Sequence, residues 1–188
     1  MKKLLSSLIV VAAVLVTSLS LSAQTAKVNS TGGASPHETT SAVIDNNRVT
    51  VTYGRPFTKD PKTGAARKIW GGLVPYGKAW RLGADEATTL ITQQPISFGD
   101  TLVPAGAYTL YLVPEENGGK LAISKKIGQW GVGVDEKNDL ARVDVKKSES
   151  DKSPDQLKIS VEKNEGGGGV LKITWENAQY SATFNVKK

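Results

Sequence analysis

The chain has 188 residues, no cysteine, and 24 basic against 18 acidic side chains. The lack of cysteine excludes a disulfide framework, a thiolate metal site and a lipid anchor on a cysteine at the cleavage site. The lysines are dispersed instead of clustered on one stretch, so we expect no nucleic-acid partner, and the excess charge is typical of a solvated surface.

The first 23 residues are typical of a secretory signal peptide. Lys2 and Lys3 precede an apolar run from Leu8 to Val16, and small residues lead to a predicted cleavage site after Ala23. The run is shorter than the about 20 residues that span a bilayer, so we expect a periplasmic or secreted protein with no membrane span. Cleavage leaves 22 basic and 18 acidic residues, a net charge of +4. About 165 residues remain, the size of one domain.

Residues 24–36 are small and polar and show no periodicity, which predicts a flexible lead-in to a single β domain over residues 37–188. The domain begins with a predicted hairpin. Residues 42–44 and the alternating segment 49–53 form its strands, and Asp45-Asn46-Asn47 joins them. Asn and Asp accept the left-handed backbone that such tight turns need.

A long irregular segment follows, from Pro56 to Gly83, rich in Gly, Pro and Lys. Loops of this length in compact domains are usually functional or disordered. Trp70, Tyr76 and Trp80 favour order, because large aromatic side chains are costly to leave in water. We therefore predict that the segment folds over one end of the β structure.

Eight further strands are predicted by short apolar or alternating segments separated by turn signals, at 87–93, 96–98, 107–113, 120–124, 141–145, 156–163, 169–176 and 179–186. The last three alternate most regularly, so one face of each is core and the other solvent. The best helical turn lies near residues 135–139. The prediction is an all-β fold, an antiparallel β-sandwich or open barrel of about ten short strands, with one long ordered loop, little helix, and Trp130 and Trp175 in the core.

Features that suggest chemistry mostly favour structural roles. Gly166–Gly169 resembles a phosphate-binding loop, but a strand follows it instead of a helix, so we predict a hairpin turn. His37 is the only histidine and has neither HExxH spacing nor enough partners for zinc. We expect it to cap a strand or lie on a polar surface, and we expect no metal and no cofactor.

The best candidate site lies within residues 53–86. Aromatic faces stack on sugar rings and bases, and arginine side chains bind carboxylates. The candidate ligand-binding residues are Tyr53, Arg55, Trp70, Tyr76, Trp80, Arg81, Asp85, Glu86 and His37. The leading hypothesis is a non-catalytic exported module that binds a small polar ligand, an envelope glycan or a protein partner.

Two alternatives stay open. In the first, Asp85 or Glu86 is the acid or base of an envelope glycan hydrolase assisted by His37, although neighbouring side chains on a strand point to opposite faces. In the second, the charges form a buried structural network in which one of these carboxylates pairs with Arg81 or Arg55 and fixes the long loop.

Several short motifs occur together in this region and beyond: Tyr53-Gly54-Arg55-Pro56, Arg67-Lys68-Ile69-Trp70-Gly71, Leu73 to Lys78, Trp80-Arg81, Gly83 to Thr88, Pro104 to Tyr108, and Gln129-Trp130-Gly131. In this combination the chain resembles the bacterial secreted family catalogued as domain of unknown function 2911, over nearly the whole mature sequence. The resemblance implies an exported β-sandwich and carries no established activity, substrate or catalytic residue. Residues 58–66 are longer than in the family pattern, and we expect them to lengthen a hairpin tip.

Overall fold

The structure is a computed structural model that describes residues 24–28 and 35–188, and the predicted signal peptide lies outside these ranges. In the described part no helix is long and apolar enough to cross a membrane. The one short helix there is the 3-10 turn Glu136–Asn138, at the predicted helical turn. The strands are β1 (Gln24–Val28), β2 (His37–Ile44), β3 (Asn47–Gly54), β4 (Thr89–Thr92), β5 (Ile96–Phe98), β6 (Thr101–Val103), β7 (Gly106–Glu115), β8 (Gly118–Ser124), β9 (Asp139–Glu149), β10 (Lys158–Lys163), β11 (Gly169–Trp175) and β12 (Ala178–Val186).

The strands form one strongly curved antiparallel sheet. Its order is β1-β2-β3-β4-β7-β8-β9-β12-β11-β10, and the β5–β6 hairpin attaches to β12. The last strand, β10, packs beside β2 and β3 near the other end of the order. The sheet is therefore a nearly closed barrel, which confirms the predicted all-β antiparallel fold in its open-barrel form.

The predicted turns explain how the chain reverses. Asp45 and Asn46 adopt φ angles of 48° and 66°, and the flanking residues Ile44 and Asn47 pair directly, so β2 and β3 form a two-residue hairpin. The glycine run at 166–169 turns β10 into β11 as predicted, with positive φ angles at two of its glycines.

Side chains and loop backbone close the gap between β3 and β10. The Tyr53 hydroxyl accepts a hydrogen bond from Ile159 N at 2.8 Å, and Arg55 Nε donates to the Leu157 carbonyl at 3.1 Å. The Leu157 N–H donates to the Pro56 carbonyl at 3.0 Å. The start of the long loop is thus fixed along β10, and we call this contact the seam.

The long loop is ordered and covers one end of the barrel, as predicted. Trp70 is buried and meets the Trp80 ring edge-on at a centroid distance of 5.8 Å. Trp80 in turn stacks on Trp175 of β11 at 5.5 Å and an interplanar angle of 14°. Burying these rings stabilises the loop by roughly 1.5–3 kcal/mol for each large side chain that leaves water. The insert at 58–66 forms a small hairpin tip through the antiparallel pair Lys59 and Ala66.

Three details differ from the sequence prediction. Residues 24–28, expected within a flexible lead-in, pair with β2 as β1. The three-residue strand β6 was not predicted, because Thr101–Val103 is too short to show a period. Trp130, expected in the core, is 45% exposed, since its loop packs outside the barrel through a bridge to Glu86.

Candidate functional site

A cleft opens where the long loop crosses the end of the barrel. Its volume is about 260 Å³. We call it the loop cleft and define it by the six lining residues that matter for its chemistry: Phe57, Arg67, Trp80, Arg81, Asp85 and Trp175. Five of the six come from the long loop and its end, and Trp175 comes from the last residue of β11.

The floor of the loop cleft is aromatic and fixed in place. Trp80 is partly buried, and its backbone exchanges two hydrogen bonds with Leu112 of β7, at 2.7 and 2.9 Å. Its ring is supported by the stack on Trp175, and the Trp70 indole Nε1 donates to the Trp175 carbonyl at 3.1 Å. Phe57 adds a ring that is 37% exposed. Because these contacts hold the rings in place, Trp80 gives the cleft lining a preformed aromatic platform.

Two guanidinium groups border the cleft without a carboxylate partner. Arg67 Nη2 donates to the Phe57 carbonyl. The aliphatic part of Arg81 packs on Gly131, where an added Cβ would lie 2.8 Å from Arg81 Cδ. Within residues 35–188, no carboxylate oxygen lies within 4.0 Å of either guanidinium. Neither guanidinium therefore has its charge paired with a carboxylate of the described residues.

Asp85 and Glu86 point to different partners. Asp85 has a positive φ of 63°, and its Oδ2 accepts from Ser35 N at 3.3 Å. Glu86 Oε2 lies 2.6 Å from Nε2 of His37, which is only 7% exposed. The predicted pairing of one of these carboxylates with Arg81 or Arg55 is wrong, because the path of the loop brings Glu86 to the start of β2 instead.

Arg55 pairs with Glu38 in a buried network at the seam. Its Nη1 lies 2.9 Å from Glu38 Oε2, and the Tyr53 hydroxyl donates to Glu38 Oε1 at 2.8 Å. Burial raises the pKa of Tyr53, and the hydrogen bond to Glu38 adds to that rise. Tyr53 and Arg55 therefore form their hydrogen bonds within the protein. This agrees with the alternative in which the charges form a buried structural network, but the carboxylate is Glu38.

Trp70 and Tyr76 border a different opening. This larger cleft has a volume of about 730 Å³ and lies on the side of β9 and β12. Lys147 Nζ lies 5.1 Å from the centroid of the Tyr76 ring and 3.2 Å from its hydroxyl.

Of the nine candidates, Trp80, Arg81 and Asp85 are the ones that the loop cleft brings together, and the binding role of all nine stays a prediction.

The candidates predicted from the sequence did not include three of the cleft residues, Phe57, Arg67 and Trp175, nor Glu38, the carboxylate at the seam. Arg67 lies in a motif of the long loop, but its position at the cleft depends on the hairpin tip at 58–66. Glu38 could have been found, because the two-residue turn at Asp45-Asn46 sets a register that places Glu38 opposite Tyr53.

No group of three or more His, Cys, Asp and Glu side chains in the described ranges is arranged to hold a metal ion.

The family model described as "Protein of unknown function (DUF2911)" matches residues 35–184, so the chain belongs to that family. No curated protein and no solved structure matches the chain.

Proposed function

We propose that this DUF2911 protein is a binding module that takes a small polar ring compound, of the size of one sugar unit, into the loop cleft. The supporting observation is the combination of a fixed aromatic floor with two guanidinium groups that lack carboxylate partners. The predicted signal peptide supports a role in the periplasm or outside the cell.

The size of the cleft favours a single ring. Pockets for drug-sized molecules span about 300–1,000 Å³. The loop cleft, at about 260 Å³, is just below that range. A longer glycan chain would have to extend out of the cleft, with only one unit inside it.

The chemistry of the lining suits a ring with polar substituents. Trp80 offers apolar area to the flat side of a ring, and burying such area is favourable by about 25 cal/mol per Å². The Arg67 and Arg81 donors and the Asp85 carboxylate lie on the same lining, so acceptors and hydroxyl donors of a ligand both find partners.

The same lining favours binding over glycan hydrolysis. Glycosidases place two carboxyl groups about 5–10 Å apart across the bond that breaks. Asp85 is the one acidic residue that lines the loop cleft, and Glu86 is engaged with His37 outside it. A second carboxyl at hydrolytic spacing is therefore missing from the cleft lining that the structure describes.

Calorimetric titration of the exported protein with a panel of neutral and acidic monosaccharides tests the proposal. We expect at least one member to bind with a dissociation constant in the millimolar range or better, and Trp80→Ala to weaken that binding at least about tenfold, which is 1.4 kcal/mol. Trp130→Ala is the matched control, because Trp130 is exposed and does not line the loop cleft.

Trp80→Phe distinguishes a lost binding contact from a folding defect, because it keeps an aromatic ring in the cleft floor and should retain part of the affinity. The proposal is wrong if no member of the panel binds, or if Trp130→Ala weakens binding as much as Trp80→Ala does.

A further inference from the structure

Two N–H donors of loop-cleft residues have no acceptor. Arg67 Nε and Trp175 Nε1 are both buried, and neither has a hydrogen-bond partner within the described residues. Both residues line the loop cleft. Buried polar groups in folded proteins are nearly always satisfied, so an unsatisfied donor calls for a reason.

The neighbouring indole shows that the cluster can supply an acceptor. Trp70 lies in contact with Trp175, and its own Nε1 donates to the Trp175 carbonyl at 3.1 Å. Trp175 is the more deeply buried of the two, at 1% exposure against 7%, yet its Nε1 is the one left unpaired. The unpaired donor is therefore particular to Trp175 and is not general to this aromatic cluster.

The charges around the cleft favour an anionic acceptor. Arg67 and Arg81 contribute two positive charges against the single carboxylate of Asp85, which already accepts from Ser35 N. The Phe57 carbonyl accepts a hydrogen bond from Nη2 of Arg67, so Nε and Nη1 are the nitrogens left for a ligand. A guanidinium pairs better with a carboxylate than with a neutral hydroxyl, because both groups are charged and geometrically matched.

We infer that the ligand of the loop cleft is an acidic ring compound, such as a sugar acid, whose carboxylate accepts from Arg67 Nε and Trp175 Nε1 while its ring lies on Trp80. This inference rests on the proposed binding function and adds the chemical class of the ligand. Because both donors are shielded from water, the carboxylate reaches them through a side-chain rearrangement at the cleft, and rotamer changes of this kind are common on binding.

Matched pairs of sugars isolate the carboxylate. We would titrate the protein with glucuronic acid against glucose, and with N-acetylmuramic acid against N-acetylglucosamine, at constant pH and ionic strength. The acid of at least one pair should bind at least about tenfold more tightly than its neutral partner. Acetate alone should bind at least about tenfold more weakly than that acid, since it cannot use the Trp80 platform.

Arg67→Gln should remove most of the preference for the acid, because it should weaken binding of the acid at least about fivefold more than binding of the neutral sugar. Arg48→Gln is the matched control, because Arg48 is an exposed arginine at the start of β3, at the opposite end of the strand from the long loop, and its replacement should leave the preference unchanged. In ¹H–¹⁵N spectra of the wild-type protein, the Trp175 indole resonance should move when the acid is added and stay in place with the neutral sugar.

The possible failures are distinguishable. If neutral sugars bind as tightly as their acids, or Arg67→Gln keeps the preference, the inference is wrong and the binding function stands. If acetate matches the acid, the cleft is a simple anion site and the ring contact is wrong. If neither member of either pair binds, both the inference and the proposed function fail.

Discussion

Replacement of Tyr53 by Phe removes one oxygen atom from the seam between β3 and β10. That hydroxyl accepts from Ile159 N at 2.8 Å and donates to Glu38 Oε1 at 2.8 Å. In the variant the Ile159 N–H has no acceptor, which costs about 1–3 kcal/mol, and the bond to the carboxylate contributes about 1.5–3 kcal/mol. Because Arg55 still pairs with Glu38, we expect a net loss of about 2–4 kcal/mol in the free energy of unfolding.

Urea unfolding at neutral pH, followed by tryptophan fluorescence and by circular dichroism, measures this loss. Tyr108→Phe is the matched control, because Tyr108 is also buried and its hydroxyl makes a local bond to the Pro104 carbonyl at 3.0 Å. We expect the control to lose about 1 kcal/mol. A loss below about 0.5 kcal/mol for Tyr53→Phe would mean that the hydroxyl does not hold the seam together.

Three further outcomes follow from the same contacts. Burial raises the pKa of Tyr53 above its ordinary value of 10.0, so the unfolded chain loses this proton first and stability falls as pH rises above about 10. In urea titrations, wild type should lose about 1.4 kcal/mol more than Tyr53→Phe between pH 9 and pH 11, and equal losses would contradict this reasoning. Trp175→Ala should lower the free energy of unfolding by about 3–5 kcal/mol, because Trp175 is only 1% exposed. Trp130→Ala should lower it by less than about 0.5 kcal/mol, because Trp130 is 45% exposed, and equal losses in urea unfolding would contradict this placement. Gly54→Ala should lower the melting temperature and cost about 1–3 kcal/mol or more, because the added Cβ would lie within 3.0 Å of the Ala84 backbone, which is less free to move than a side chain. An unchanged melting temperature would contradict that close approach.

The sequence was most informative where the pattern is local. Alternation at Leu157, Ile159 and Val161 predicted a strand with one buried face, and all three side chains are fully buried. The tight turn was predicted at Asp45-Asn46-Asn47 from residue type alone, because Asn and Asp tolerate positive φ angles, and the structure narrows it to Asp45 and Asn46.

Contacts between segments distant in the sequence could not be predicted from local patterns. Glu86 meets His37 across 49 positions, and the Tyr53 hydroxyl meets Ile159 across 106, so both depend on how the barrel closes. Trp130 illustrates the same limit, because nothing in Gln129-Trp130-Gly131 reveals that its loop packs outside the barrel.

The cleft itself was only half visible. Trp80, Arg81 and Asp85 were recognised because they combine planar area, charge and proximity in sequence. Phe57 and Trp175 were not among the candidates, because they join the cleft only when the loop crosses the end of β11.

The central claim is that a ring compound binds on the Trp80 platform of the loop cleft. The most direct measurement is a ¹H–¹⁵N titration of the wild-type protein with glucuronic acid and, separately, with N-acetylmuramic acid, read at the four tryptophan indole resonances, and the prediction holds for at least one of the two acids. Saturable shifts at Trp80 and Trp175, with Trp130 unmoved, are the predicted result. Shifts confined to Trp130, or no saturable shift at any indole, would contradict it.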